Sequence, residues 1–292
     1  KQGGLYVFTP TITAENSNWY RGTADALYQN LHFLKGSHEP YVVLASGDGI
    51  YKLDYNKILE YHIQKRADIT VVCKEMPEGE DLSRFGQVKA DDDGRIRGYE
   101  EKPMIETSRN VSCGIYVIRR RLLIELIERA AEEDRYDLVK DILIRYKDIK
   151  RIYAYQLETY WNNISSVEAY YRTNMDFLNK DVRKILTQEP FIASKPSDDP
   201  PAKYNPTAEV TNTLVGTGSI IDGNVKNSVL FRKVFVGEGA TVENSVIMKS
   251  SYIGKGCVIK NAIIDKEVVI SDNKEVIGTE EEPIVIGKGQ VI

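Results

Sequence analysis

Three short stretches of the 292-residue sequence carry side chains whose types and places could do chemistry. Ser46-Gly47-Asp48-Gly49 sets a carboxylate just after the apolar run Tyr41–Ala45. Open α/β sheets place their ligands at that end of a strand, so Asp48 could face a ligand there. Standing alone, the same Asp is an ordinary turn former after a strand. Trp161-Asn162-Asn163-Ile164-Ser165-Ser166 offers amides and hydroxyls but no carboxylate. An amide oxygen can reach a cation, yet it brings no negative charge. Glu100-Glu101-Lys102-Pro103 sets charges of both signs against a proline that restricts the local backbone.

The elements that must position these residues are legible as an alternation of apolar strand-like runs and helical periodicity from Lys1 to about Asn179, the pattern of an α/β domain with a mostly parallel sheet. Leu5-Tyr6-Val7-Phe8 reads as a strand. Thr23 can cap a helix whose apolar positions Ala24, Leu27, Tyr28, Leu31 and Leu34 stop at Gly36. Tyr41–Ala45 reads as a buried strand, Asp54 as the cap of a helix through Ile63, and Asp68–Cys73 as another strand. Asp92-Asp93-Gly94 makes Val88–Tyr99 a hairpin. Asn110–Ile118 is again strand-like, helices follow near Leu122–Ala131 and Asp137–Tyr146, and Ser165-x-x-Glu168 is a capping box for a last helix through Leu178.

The character then changes. Pro190, Pro196, Pro200, Pro201 and Pro206 crowd the stretch from about Thr187, which reads as a linker. The expected division is residues 1–180 for the α/β domain, 181–207 for the linker and 208–292 for a repeat domain. In that last part Val225-Lys-Asn-Ser-Val-Leu230 recurs as Val242-Glu-Asn-Ser-Val-Ile247 and then as Ile259-Lys-Asn-Ala-Ile-Ile264, at the same interval both times. A second phase reads Val215-Gly-Thr-Gly, Val236-Gly-Glu-Gly, Ile253-Gly-Lys-Gly and Ile286-Gly-Lys-Gly. Apolar residues thus return every five or six positions. That suits a triangular parallel β-helix of about four coils, with one aliphatic residue inward from each side and glycines at the corners. A β-meander with similar turns is the alternative reading.

Composition excludes several classes. A net charge of −4 and a pI near 5.6 argue against a nucleic-acid binder, which usually needs a basic face. Cys73, Cys113 and Cys257 are odd in number, widely spaced and set among apolar residues, so they read as reduced core thiols of a cytoplasmic protein. No apolar stretch nears the ~18 residues of a membrane span, and the first residues show no signal pattern. Lys1 as the first residue implies that the chain begins inside a longer protein.

The hexapeptide repeats resemble the left-handed parallel β-helix. Ahead of them stand, in order, Trp19-Tyr20-Arg21-Gly22-Thr23-Ala24-Asp25-Ala26, Gly47-Asp48-Gly49-Ile50-Tyr51-Lys52-Leu53-Asp54-Tyr55, Glu100-Glu101-Lys102-Pro103 and Ser112-Cys113-Gly114-Ile115-Tyr116-Val117. Together these motifs resemble the glucose-1-phosphate adenylyltransferase (ADP-glucose pyrophosphorylase) family across most of the chain. The resemblance implies a Rossmann-like nucleotidyltransferase domain, incomplete at its start, before the β-helix. It also implies conversion of ATP and α-D-glucose 1-phosphate to ADP-glucose and pyrophosphate, with Mg²⁺ neutralising charge and aligning the leaving group. Asp48 matches the family's cation-holding carboxylate. Lys102 matches the residue that grips the sugar phosphate, and Glu101 the one that bonds sugar hydroxyls. Tyr20, Gly86 and Ser112 match further positions around glucose 1-phosphate, with simple core, a turn and a strand hydroxyl as their ordinary alternatives.

The departures from the family pattern are specific. Trp-Arg-Asp-Val-Gly-Thr near the end of the family's catalytic domain is Trp161-Asn-Asn-Ile-Ser-Ser166 here, so Asn163 stands at the metal-binding Asp. Gly49 stands where the family commonly has His, and the glycine-rich loop that would cradle ATP phosphates is not in the sequence. These changes resemble a GlgD-type regulatory subunit, whose implied role is to pair with a catalytic adenylyltransferase subunit in a heterotetramer and to respond to sugar-phosphate effectors. A catalytically competent sugar-phosphate nucleotidyltransferase stays open as an alternative. A hexapeptide acyltransferase is disfavoured: none of His32, His38 and His62 lies in the repeats to serve as a general base.

Overall fold

The computed structural model describes residues 4–10, 19–189, 191–192 and 197–292. The chain divides into two compact units, Lys1–Gly49 with Leu53–Trp161, and Ile50–Lys52 with Asn162–Ile292.

The first unit is built on a six-stranded sheet. Its elements, with β2 (Gly49–Tyr51) among them in the chain but mostly in the second unit, are α1 (Thr23–Gln29), α2 (Leu31–Gly36), β1 (Tyr41–Ala45), α3 (Tyr55–Gln64), β3 (Ile69–Glu75), β4 (Gly86–Ala90), β5 (Ile96–Glu101), β6 (Asn110–Arg119), α4 (Arg120–Glu132), a π-helix (Val139–Ile144) and β7 (Ile152–Gln156). The strand order is β5-β4-β6-β3-β7 with β1 also on β6, while β2 pairs with β8 (Trp161–Asn163) in a separate two-stranded sheet.

The sheet is mixed, which corrects the mostly parallel expectation. Among its described residues only β3 and β7 pair in parallel; β1, β3 and β4 all lie antiparallel to β6. The hairpin β4–β5, closed by Gly94 at φ 84°, comes between β3 and β6 in the chain, and β6 then pairs antiparallel with both β3 and β4. The long strand β6 is kinked by a bulge where β3 shifts register at Val72/Cys73 and Gly114 takes φ 68°. Its first half then meets β4 at Val111, and its second half meets β1 from Ile115 to Arg119.

Alternation along β3 sorts the two faces. Ile69, Val71 and Cys73 join a core with Ala24, Leu31, Leu123, Leu126 and Ile127 of α1, α2 and α4. Thr70 faces the other way, where its hydroxyl lies 2.8 Å from His62 Nδ1 on α3.

Several local expectations change. β1 is half-exposed rather than buried, with Val43 at 42% exposure, because β6 is its one strand partner among the described residues. Leu5–Phe8 forms no strand; the rings of Tyr6 and Phe8 each lie 5.3 Å from that of Phe33 on α2. The helix expected from Thr23 to Gly36 breaks at Asn30, and its N-cap is Gly22, because the Thr23 hydroxyl instead accepts the Leu138 N–H at 2.9 Å. Asp54 does cap α3, accepting the Asn56 N–H at 3.0 Å. The helix expected over Asp137–Tyr146 has a π-helical stretch whose opening N–H groups, on Val139 and Lys140, are accepted by Asp137 Oδ1.

The second unit contains α5 (Val167–Asp176), α6 (Lys180–Thr187) and a parallel β-helix. α5 is capped one residue later than expected: Ser166 accepts the Ala169 N–H at 3.1 Å. The β-helix has three faces of five strands each, so five coils instead of about four. In the middle coils Val225, Val242 and Ile259 stack in register at one constant interval, as the repeat predicts. The outer coils are hidden from that period. The step from Val210 to its partner Val225 is shorter than the interval, and the step from Ile263 to its partner Val285 is longer. The two glycine motifs at the ends also lie on a different face from those in the middle: Val215 and Ile286 belong to one sheet, Val236 and Ile253 to another.

Asn212, Asn227, Asn244 and Asn261 turn the equivalent corner at φ 44–46°, a left-handed conformation that Asn tolerates well. Beneath them Ser228 and Ser245 form a buried hydroxyl ladder, accepting the Ser245 and Ala262 N–H groups at 3.1 and 3.2 Å. One face is covered by α5, where Tyr170, Tyr171 and Met175 meet Val246 and Ile263, and the Tyr171 hydroxyl donates to Asn244 O at 2.6 Å.

Candidate functional site

β4 and β5 bring together one group of the residues singled out in the sequence. Gly86 opens β4 opposite Glu101, the last residue of β5, so it is a strand position and not a turn. A Cβ placed on Gly86 would stand 2.8 Å from both Glu101 Oε2 and Tyr99 Oη. A side chain there would have to push the Glu101 carboxylate and the Tyr99 ring aside, so the glycine lets those two oxygens lie against the strand.

Glu101 is the electrostatic centre of the group. Burial pushes its carboxyl above the usual carboxylate range, and Asp137 adds to that; Lys102 and Lys140 oppose it. Lys102 Nζ is 4.0 Å from Glu101 Oε1 and its side chain is 62% exposed, which leaves most of the ammonium open to a ligand. Its backbone is at φ 51°, the left-handed region, which costs an L-residue about 1–2 kcal/mol. Pro103 directly after it disfavours helical geometry as well.

Ser112 and two unforeseen residues complete this wall. Ser112 lies just before the β6 bulge, its hydroxyl accepting the Gly114 N–H at 3.3 Å and standing 3.5 Å from Tyr116 Oη. Tyr99 and Tyr116 are buried in the same core cluster. Burial pushes the Tyr116 hydroxyl up to about 12 and that of Tyr99 well above its usual value, so both stay protonated. Period-two alternation from Glu101 could have pointed to Tyr99. The same counting from Ser112 reaches Tyr116, because the bulge inserts two residues and so keeps the faces in step.

Tyr20 makes no hydrogen bond or ring contact with this group. Its hydroxyl accepts from Asn30 Nδ2 at 3.1 Å and its ring meets Trp19 edge-on. The motif around it has a different place. Gly22 lies so close to Tyr136 that a Cβ there would be 2.3 Å from its carbonyl oxygen, and that oxygen accepts the Ala24 N–H at 2.8 Å. Arg21 lies 3.8 Å over the Tyr136 ring and pairs with Asp25, a buried carboxylate that also accepts from Gln29. The stretch Arg21–Asp25 thereby fixes the segment carrying Asp137 and Lys140, whose charges act on Glu101.

The expected metal residues are placed differently. Asp48 follows β1 in the first unit, and the Ser46 hydroxyl donates to its carboxylate. Asn163 ends β8 and belongs to the second unit. Its Oδ1 accepts the Ser165 N–H at 2.9 Å, and Asn162 Oδ1 accepts the Asn163 N–H at 2.8 Å. Both amide oxygens are thus turned onto their own backbone. Among the described residues no group of three His, Cys, Asp or Glu could hold a metal ion. This donor set does not fit a Mg²⁺ ion held by the protein alone, for which carboxylates and phosphates are the usual ligands.

Comparison with known proteins agrees with the architecture. A family described as Nucleotidyl transferase matches residues 2–180, and one described as GlmU-like, C-terminal hexapeptide matches residues 200–283. The chain belongs to the nucleotidyl transferase family, with a nucleotidyltransferase domain followed by a hexapeptide-repeat, left-handed β-helix. Its similarity within that family runs to glucose-1-phosphate adenylyltransferases. It is 38% identical over 244 residues to that of Bacillus subtilis (strain 168), covering 82% of this chain and 64% of the relative. For that of Geobacillus stearothermophilus the figures are 36% over 246 residues, 83% and 63%. The chain therefore spans just under two thirds of the length of the curated relatives it matches. No described helix is long and apolar enough to cross a membrane.

Proposed function

We propose that the chain is a subunit of ADP-glucose pyrophosphorylase, the enzyme that makes ADP-glucose and pyrophosphate from ATP and α-D-glucose 1-phosphate, and that its part is regulatory. The supporting observation is the amide pair Asn162-Asn163, whose oxygens are spent on local backbone where the family motif supplies a carboxylate. Against it stands the group of Gly86, Glu101, Lys102 and Ser112, which keeps the residue types a sugar phosphate needs: a partly buried carboxylate for hydroxyls, an exposed ammonium for phosphate. On this reading the chain binds glucose 1-phosphate or a related sugar-phosphate effector, with weak or no turnover of its own. It pairs with a catalytic subunit in a cytoplasmic heterotetramer, and sugar-phosphate binding biases the quaternary state. Mg²⁺ comes with ATP to the catalytic partner.

The test is an ADP-glucose synthesis assay on the full-length chain, alone and mixed with its catalytic partner. Little product alone and a rise on mixing is the expected result; robust turnover by the lone chain would sink the regulatory role. A second reading, a competent nucleotidyltransferase, is favoured by Asp48 and by the names of the relatives. It predicts that Asp48→Asn abolishes turnover. Asn163→Asp separates the two: on the regulatory reading it raises the activity of the lone chain by about tenfold or more, since a carboxylate can also accept the Ser165 N–H. No gain would mean that more than this carboxylate has been lost.

A further inference from the structure

A cavity of about 450 Å³ lies in the first unit, where β3, β4 and β7 end and β6 begins. None of its lining residues belongs to the group around Glu101. Its floor is apolar except at one point. Val88 and Ala154 are buried there, and beside them the side chain of Asn110 is only 8% exposed, its Oδ1 without a hydrogen-bond partner. A buried carbonyl oxygen left without a donor costs stability, and folded proteins keep few of them. The hydroxyl next to it is already committed: Ser108 donates to Val88 O at 2.7 Å and accepts the Asn110 N–H at 3.1 Å. Position 110 therefore calls for a donor that comes from outside.

The charges around the floor say which donor. Glu75 on β3 is in register with Asn110, and Asp92 on the β4–β5 turn stands to the other side, since β6 lies between β3 and β4. Neither carboxylate has an ion pair or hydrogen-bond partner among the described residues; Lys65 pairs with Asp93 instead. Asp91 differs, because its two oxygens accept from Arg95 N and Arg97 Nε, both at 2.9 Å. Lys89 is the one cation in the lining, but its stem lies against Gly98 of β5, and alternation turns it away from the face of Val88. Two unpaired carboxylates thus flank an unpaired carbonyl.

An ammonium group brings three donors and a positive charge. One can meet Glu75 and the Asn110 carbonyl together, a second can meet Asp92, and a methylene stem between them suits the floor of Val88 and Ala154. A metal ion fits less well, since no group of three described His, Cys, Asp or Glu could hold one. A sugar ring fits less well too, because no aromatic ring lines the cavity to stack on it. The volume is that of a site for a small organic molecule.

We propose that this cavity binds a small aliphatic diammonium, one end at Glu75 and Asn110 and the other at Asp92. The site stands apart from the sugar-phosphate reading and does not depend on it.

The experiment is titration calorimetry on the full-length protein with 1,4-diaminobutane and with its uncharged counterpart 1,4-butanediol. An ionic strength of about 0.15 M screens loose attraction to an acidic surface. Saturable binding of the diamine at one site, about tenfold or more tighter than the diol, is expected. Asn110→Leu, which suits the apolar floor, should weaken it by about tenfold or more. Glu75→Gln and Asp92→Asn should each weaken it by about threefold, and being exposed they serve if Asn110→Leu does not fold. No saturable binding of the diamine overturns the proposal and leaves Asn110 to an ordered water. Equal affinity for the diol overturns it too. So does diamine binding that Asn110→Leu, or the two carboxylate variants, leave unchanged, which is what a merely structural role for these residues gives.

Discussion

The wall around Glu101 and the strand ending at Asn163 are both candidate parts of one chemistry, and they are built on opposite physical terms. Around Glu101 the protein accepts cost. A carboxylate is partly desolvated, Lys102 is held in a left-handed backbone before a proline, and Gly86 gives up its side chain so that two oxygens can crowd in. Around Asn163 nothing is strained: the amides of Asn162 and Asn163 satisfy neighbouring N–H groups, as polar residues in any loop do. Uncompensated cost is retained where something selects for it. The contrast therefore supports binding at the first region and a lapsed chemical role at the second.

The strongest way to break this contrast is to fill the space at Gly86. Gly86→Val should lower affinity for glucose 1-phosphate by about a hundredfold or more and destabilise the first unit by about 1–3 kcal/mol, because the new side chain crowds directly against Glu101 and Tyr99. Gly47→Ala, beside Asp48 with nothing within 4 Å of the added atom, should stay within about 0.5 kcal/mol of the original. Calorimetry and denaturant unfolding on both variants check this. Equal tolerance at the two glycines would remove the claim that the Glu101 wall is tightly built.

The pH dependence of stability sharpens it further, since the wall and the core should respond with opposite sign. His62 is buried with Nδ1 on Thr70 and Nε2 without a hydrogen-bond partner, and burial lowers it from 6.5 to about 4. Below 6.5 the unfolded chain takes up a proton that the folded chain refuses. Stability present above that pH is thus lost as pH falls, by about 2 kcal/mol at pH 5 and further down to about 4. Urea unfolding at pH 7.5 and 5 should show this loss, and His62→Gln should flatten it. A His62→Gln protein with the same acid loss would assign the effect to other groups.

How much of this could be seen in the sequence follows how local each cause is. The hairpin was legible because Asp92-Asp93-Gly94 carries its own turn chemistry, and the middle of the β-helix because Asn227, Asn244 and Asn261 return at one interval. The outer coils were not, since a shorter step at one end and a longer one at the other break the period while strand pairing continues. Strand direction in the first unit was also hidden: nothing local tells β6 to enter the sheet antiparallel between β3 and β1. At the candidate site the types of Glu101, Lys102 and Ser112 were readable. The crowding of Glu101 and Tyr99 against Gly86 arises from cross-strand register, which no local signal shows.

The smallest expected effect is also the most diagnostic. Burial raises the Glu101 carboxyl, so the folded chain holds that proton more firmly than the unfolded one does. The resulting cost is absent at low pH and present once pH rises through the raised value, the reverse of the His62 case. Glu101→Gln keeps the shape and removes the charge. At pH 7.5 it should therefore unfold later than the original, by on the order of 0.5 kcal/mol, while binding glucose 1-phosphate more weakly. Its advantage should shrink toward acid pH as the original carboxyl takes up its proton. A carboxylate kept for stability would give the opposite sign, a variant that unfolds earlier at neutral pH, and the wall around Glu101 would then be ordinary structure.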